Sequence, residues 1–343
     1  MRLRAWSFDL RLRHTFTISR GSRDVVPTVF ISLEAEGIEG FGEASPSAYY
    51  GSTPQSVLAS LEKARRFLES ANPVPYRALI DDLEAILAPD MAALAALDLA
   101  LHDWVGKRFG QPLHRLLGLD PARMPCTSFT IGMDTLPRMV EKAREAAAFP
   151  ILKVKVGGPG DVEMVRALRE VTGAVIRVDA NGAWTAREAI EKSRALKDLG
   201  VEFMEQPLPR ERNAEMAGVR SASALPVYAD ESAVTAQDTG ELAGRFDGIV
   251  VKLVKCGGIR GALRQIETAR AAGLKIMIGC MIESSLSISA AAQIGPLVDH
   301  LDIDGAILTV NDPFSGARIV EGRVEMPEGN GLGAVPWAGQ PAQ

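Results

Sequence analysis

Cysteine is scarce in this chain: three among 343 residues, Cys126, Cys256 and Cys280, with no CxxC pair. That excludes a disulfide framework and suggests no structural zinc site. A basic excess is also lacking. Lys and Arg number 38 against 43 Asp and Glu, giving a net charge of −5 and a pI near 5.6, which argues against a nucleic-acid partner. No segment approaches the unbroken apolar length of a membrane span, and the N-terminal "MRLRAWSFDLRLRHTF" alternates charged and apolar residues instead of forming a signal peptide's apolar core. A cytoplasmic protein without a membrane partner is expected. An apolar fraction of 47% and a charged fraction of 24% exclude disorder and suit a soluble globular chain. The length has room for one large barrel plus a smaller domain, or for two medium domains.

The first part reads as sheet followed by helices. "TVFISLEAEGIEGFGEA" predicts strands over 28–34 and 38–43, joined by a turn at Glu36-Gly37. Helices are expected from about 54 to 70, 78 to 87 and, alanine-rich, 91 to 109, where Gly110 and Pro112 end the last. This is an α+β pattern to about residue 120.

From about Pro125 short β-rich runs alternate with helical stretches: "CTSFTI", "ILKVKV", "VIRVD", "VEFME", "LPVYAD", "GIVVKL", "LKIMIG" and "LDIDG". The residues ending successive runs, Lys155, Asp179, Glu205, Asp230, Lys252, Gly279 and Asp302, are 24, 26, 25, 22, 27 and 23 apart. One βα unit has that length, and eight such runs fit a TIM-type barrel better than a doubly wound sheet. The segment after Pro313 is too short for a domain and is expected to pack back on the N-terminal part. "VGGPGDVE" resembles a phosphate loop but lacks both GK[ST] and G-x-G-x-x-G, so a plain βα turn is expected there.

In such a barrel the strand ends converge on one mouth, where the active site sits. Asp179, Glu205 and Asp230 would meet there and repel one another unless a cation lay between them. Hard oxygen ligands suit Mg²⁺, with Mn²⁺ the near substitute. A single Asp after a strand is ordinarily a helix cap, but three matching positions, one a Glu, weaken that alternative. "ILKVKVGG" places Lys153 and Lys155 on one face of a strand, a costly pairing unless anions meet it. In barrel order Lys155 and Lys252 should face each other across the mouth. Lys255, in the loop after, is expected to be solvated. A lysine acts as a base near neutral pH only when its pKa is lowered, which a neighbouring cation can do.

The set KxK, DxN ("RVDANG"), E ("FMEQP"), "DES" and "KLVKCGG" resembles the muconate-lactonizing branch of the enolase superfamily. "GFGEASP" resembles that family's capping hairpin, and "ALDLALHDWVGKRFGQPLHRLLG" its helix before the barrel. The resemblance implies a modified (β/α)7β TIM barrel over 121–318, an α+β capping domain over 1–120, and a tail, 319–343, returning to the cap. It also implies one Mg²⁺ on Asp179, Glu205 and Asp230, with Lys155 and Lys252 as the acid/base pair. The shared chemistry is removal of a proton α to a carboxylate, stabilised by the metal and by Lys153. Two opposed lysines give 1,1-proton transfer and invert the carbon. None of His14, His102, His114 and His300 occupies a strand-end base position, although His300 lies closest to the mouth.

"HLDIDGA" resembles the DxD of the superfamily's dipeptide epimerases, which implies that Asp302 and Asp304 meet a dipeptide's α-ammonium. By the same resemblance Thr130 could bind the substrate carboxylate, and Cys280 and Ile282 in "GCMIESS" would line the pocket. The capping loop, about 18–25, would read the second side chain. Arg23 or Arg20 could pair with a glutamate, which favours L-Ala-D/L-Glu as the small-molecule substrate. An o-succinylbenzoate synthase or muconate cycloisomerase on the same scaffold is the alternative. A non-catalytic metal-binding barrel fits the lysine pair poorly. A homo-oligomer is compatible with the composition.

Overall fold

A computed structural model describes residues 1–337. The N-terminal alternation becomes one long strand, β1 (Arg2–Ile18), antiparallel to β2 (Gly21–Ala35), which pairs with β3 (Ile38–Ala44). The β2–β3 turn places Glu36 and Gly37 at φ of 52° and 73°, as the sequence anticipates. The 18–25 segment, expected as a loop, is instead a hairpin tip, with Ile18 paired to Gly21 and Phe16 to Arg23. Phe16 and Ile18 are half-buried on one face of that hairpin end, while Gly21 to Val25 on the returning strand are exposed and carry no hydrophobic alternation.

Strand alternation divides β2 between two cores. Val29, Ile31 and Leu33 pack with the helices α1 (Pro54–Ser70), α2 (Tyr76–Leu87) and α3 (Met91–Arg108), whereas Phe30 joins the barrel core. Helix α3 is buried all round from Ala92 to Gly106, wedged between cap and barrel. Gly40 and Gly42 on β3 allow its close approach; a Cβ at Gly40 would lie 2.9 Å from the Trp104 nitrogen. Two α3 carboxylates bridge outward. Asp98 accepts from Ile259 N at 2.5 Å, and Asp103 accepts from Leu332 N at 2.9 Å.

Eight parallel strands form the barrel: β4 (Phe129–Ile131), β5 (Ile151–Lys155), β6 (Val175–Asp179), β7 (Val201–Glu205), β8 (Val227–Ala229), β9 (Gly248–Val251), β10 (Lys275–Gly279) and β11 (His300–Asp302), hydrogen-bonded in chain order. A bridge between Thr127 and Leu301 joins first to last. Only a short 3₁₀ turn, Gly305–Leu308, follows β11, so the fold is a modified (β/α)₇β TIM barrel with an α+β cap. The hairpin 318–325 packs at the foot of β4, where Gly322 O accepts from Thr127 N at 2.8 Å. The chain then returns to the cap region, Gly331 O accepting from Leu113 N at 2.9 Å. Residues 338–343 of the expected tail lie outside the described residues. Among those described, no helix is long and apolar enough to cross a membrane.

Candidate active site

Register carries the strand-end residues to one level. Lys155 pairs with Asp179, Asp179 with Glu205, and Gly279 with Asp302. On β5, alternation turns Val154 outward into the core and both lysines inward, where Lys153 is 2% and Lys155 7% exposed. Strands β5 and β9 stand four apart in a ring of eight, so Lys155 and Lys252 come from opposite walls. Both line one cavity of about 430 Å³ between barrel and cap, together with Lys153, Asp230, Asp302 and Asp304. Thr130, Cys280, Ile282 and Arg23 line it as well.

The acids do not cap the following helices. Thr185 and Thr235 make those capping boxes, while Asp179 Oδ1 accepts from Asn181 N at 2.9 Å within its own loop. Oxygens of Asp179, Glu205 and Asp230 lie within 4.8 Å of one another, all buried. Lys153 Nζ donates to Asp302 Oδ2 at 2.7 Å and Glu205 Oε1 at 3.0 Å, and stands 3.1 Å from Asp179 Oδ2. Lys155 Nζ donates to Asp179 Oδ2 at 2.6 Å, and Lys252 Nζ to Asp230 Oδ2 at 2.8 Å.

Burial disfavours charge on every one of these groups, and their mutual pairing decides the outcome. For Lys153, desolvation is outweighed by Asp302, Glu205 and Asp179, which hold its pKa well above the usual lysine value. Asp230 opposes the desolvation of Lys252 and raises it too. Asp179 and Asp230 lie below the ordinary carboxylate range despite burial, because the lysines pair with them. Glu205 is raised, first by burial and then by Asp179. Its Oε2 lies 2.8 Å from Lys153 Nζ, out of line for a hydrogen bond, and is otherwise an unpartnered buried oxygen.

This donor set fits a divalent cation. Three convergent carboxylates, an orphan oxygen on Glu205, and no nitrogen or sulfur donor in the cluster match a hard ion such as Mg²⁺. Two further buried oxygens, Asn181 Oδ1 and Glu231 Oε2, are also unpartnered.

At the last strand Asp302 is shared between Lys153 and Ser128 Oγ, the latter at 2.6 Å. Asp304 accepts from Thr130 N at 2.6 Å. Burial, then Asp302 beside it, raises the Asp304 carboxyl to about 7. The hairpin tip separates the two arginines. Arg20 Nη1 donates to Glu231 Oε1 at 2.7 Å and to Asn181 O at 2.8 Å, and its guanidinium lies over Tyr49, so it is engaged. Arg23 faces the cavity and has no ion-pair partner among the described residues, while Asp24, on the opposite face, accepts from Thr15 Oγ1 at 2.6 Å.

Three expectations are corrected. Lys255 is not solvated: it is 2% exposed and donates to Asp230 Oδ1 at 2.6 Å. The short helix Leu253–Cys256 begins at Lys252, so the i,i+3 spacing in "KLVK" folds Lys255 back toward the barrel axis; that spacing was the available signal. His300 opens β11 at the foot of the barrel, far from the mouth, where Arg177 Nη2 lies 2.9 Å from its Nδ1. Arg20 is committed to Glu231 and is not available for a substrate side chain. The "VGGPGDVE" turn is occupied internally, Gly157 and Gly158 N both donating to Asp161 Oδ1 at 2.9 Å. Sequence reasoning also missed Glu43. It ties the cap to the segment after β10 by accepting from Ser284 Oγ at 2.6 Å and Ser284 N at 2.9 Å.

A capped barrel with lysines on opposite walls and three acids between them defines a class of proteins built for proton transfer at a carbon next to a carboxylate. The family profile described as Enolase C-terminal domain-like matches residues 136–337, and that described as Mandelate racemase / muconate lactonizing enzyme, N-terminal domain matches 5–118. The chain belongs to this mandelate racemase and muconate lactonizing enzyme family of enolase-type barrels. It is 40% identical to an L-Ala-D/L-Glu epimerase from Bacteroides thetaiotaomicron, covering 98% of this chain and 88% of the relative. It is 42% identical to an L-Ala-D/L-amino acid epimerase from Maribacter, covering 97% and 98%. Among solved structures, a dipeptide epimerase from Enterococcus faecalis, complexed with Mg and L-Leu-L-Tyr, superposes with a TM-score of 0.92 at 33% identity, over 97% of this chain and 98% of that one.

Proposed function

We propose that this protein is a dipeptide epimerase that inverts the α-carbon of the C-terminal residue of an L-Ala-Xaa dipeptide, with L-Ala-D/L-Glu the preferred pair. The observation that carries the reading is the placement of Lys155 and Lys252 on β5 and β9, in one cavity, with the acid cluster between them. Relatives at 40% and 42% identity with epimerase activity support it.

The cavity presents both carboxylates and ammonium groups to a dipeptide. Asp302 and Asp304 form an anionic end suited to the free α-ammonium. Asp179, Glu205 and Asp230 would hold one Mg²⁺, which would supply positive charge to the substrate carboxylate. Lys153 stands between the two acid groups, 2.7 Å from Asp302 and 3.0 Å from Glu205, where its ammonium can also meet the substrate carboxylate, and Thr130 lies beside Asp304. Cys280 and Ile282 shape the wall, and Arg23 faces the second side chain.

The α-proton is weakly acidic, so the negative charge that develops on the substrate carboxylate must meet positive charge already in place. Lys155 or Lys252, whichever is neutral, takes the proton from its face of the carbon. The opposite lysine, as an ammonium, returns one to the other face. Both amines are ion-paired to acids of the cluster. A divalent cation held by Asp179 and Asp230 would compete with the lysines for those oxygens and would supply the positive charge that favours a neutral amine.

The test is a small library of L-Ala-L-Xaa dipeptides in D₂O with Mg²⁺, scored by α-deuteration of the second residue. L-Ala-L-Glu is expected to exchange fastest and to yield both epimers. Exchange without epimer formation, or none across the library, contradicts the assignment.

A further inference from the structure

Asp230 divides its two oxygens between two lysines of different standing. Oδ2 carries Lys252, one of the opposed cavity lysines. Oδ1 carries Lys255, whose side chain is fully buried and whose three protons are all used, on Asp230 Oδ1 at 2.6 Å, Asp230 O at 2.6 Å and Val250 O at 3.1 Å. Both backbone acceptors belong to the barrel wall, so Lys255 is fixed to the scaffold. It holds Oδ1 in an ion pair anchored on the barrel wall. Asp179 has a milder version of the same arrangement, its Oδ1 engaged by Asn181 N–H. Only Glu205 keeps an unpartnered oxygen.

We propose that Lys255 is a metal-selectivity residue: fixed to the scaffold, it keeps Oδ1 occupied and leaves Asp230 only Oδ2, shared with Lys252, to engage a cation, and so biases the site toward Mg²⁺ and against Ca²⁺. Ca²⁺ takes six to eight oxygens and readily uses both oxygens of a carboxylate, whereas Mg²⁺ takes six in a tight octahedron and keeps waters. A cluster whose acids each offer a single oxygen suits the smaller ion. The proposal rests on the acid cluster being a cation site, and it is independent of which molecule the enzyme converts.

The experiment is calorimetric titration of the full-length protein with MgCl₂ and with CaCl₂, no dipeptide present, in wild type, Lys255→Met and Lys255→Gln. Removing the buried ammonium strengthens binding of both ions through charge, but frees Asp230 Oδ1 for the larger one. The ratio of Ca²⁺ to Mg²⁺ dissociation constants is therefore expected to fall by about tenfold or more in the Met variant, with Gln between. A residue with a merely structural role would leave that ratio unchanged. An unaltered ratio in a folded variant overturns the proposal, as does a wild type that binds neither ion. Should neither variant fold, a crystal structure of wild type grown in CaCl₂ decides. A single Asp230 oxygen on the ion, with Lys255 still on Oδ1, supports the proposal; both oxygens on the ion overturn it. Because no dipeptide enters the titration, failure of the epimerase assignment would show separately.

Discussion

Lys153 Nζ stands 2.7 Å from Asp302 Oδ2, an ion pair that joins the second barrel strand to the eighth across the foot of the cavity. Asp302 is thus already paired with an ammonium, and under the proposed function a dipeptide ammonium would share it with a lysine. Asp304, raised to about 7 by burial and by Asp302, takes on full charge when a cation sits beside it.

Asp302→Asn keeps the size of the side chain and an acceptor for Ser128 but removes the charge. Loss of one member of a buried charge pair costs about 2–5 kcal/mol, so kcat/KM for a dipeptide is expected to fall by about 30-fold or more. Much of the loss should lie in KM. Steady-state polarimetry measures it; an unchanged KM would mean that the ammonium binds elsewhere.

Arg23 is the uncommitted cation at the cavity rim, and the relatives differ in the second residue they accept, from Glu to the Tyr of a bound L-Leu-L-Tyr. Arg23→Glu should lower kcat/KM on L-Ala-L-Glu by at least about tenfold and improve turnover of L-Ala-L-Lys, since a charge-assisted contact is exchanged for repulsion and the reverse. Equal effects on both dipeptides would show that Arg23 does not read the side chain.

Glu43 and Glu283 form a buried acidic pair where cap meets barrel. Burial first, opposed by hydrogen bonds from Ser284 and Ser287, places Glu43 at about 7; burial and then Glu43 place Glu283 at about 8. Both values exceed the ordinary 4.5, so the folded state binds protons that the unfolded chain releases. The stability these groups confer is complete below about pH 4.5 and is lost as pH rises through 7 to 8. Glu283→Gln cannot ionise, so its melting temperature relative to wild type should rise between pH 5.5 and 8.5, by roughly a few degrees. Parallel melting curves across that range would contradict the linkage.

Much of the site was legible because its residues end apolar runs. Asp179, Glu205 and Asp230 each close a strand whose interior is buried, and barrel register converts that shared position into convergence. Helices α1 to α3 are expected close to where they lie, α3 from its alanine-rich run ended by Gly110 and Pro112, and Thr53 and Asp90 prove to cap two of them. What could not be read depends on three-dimensional pairing. Lys255 looks like a loop residue until the four-residue helix after β9 turns it inward. Arg20 and Arg23 are indistinguishable in sequence, and only the hairpin register sends one to Glu231 and the other to the cavity. Glu43 is one acid among 43 Asp and Glu until the segment after β10 encloses it.

The most direct measurement follows α-proton exchange and epimer formation by NMR in D₂O, on L-Ala-L-Glu and on L-Ala-D-Glu, in wild type, Lys155→Ala and Lys252→Ala, each saturated with Mg²⁺. With amines on opposite walls of one cavity, wild type should deuterate and interconvert both isomers. Each variant should lose interconversion by a factor of at least about 10³, with any remaining exchange confined to one isomer. A variant that lacks either amine and still interconverts the two epimers would contradict the two-lysine account.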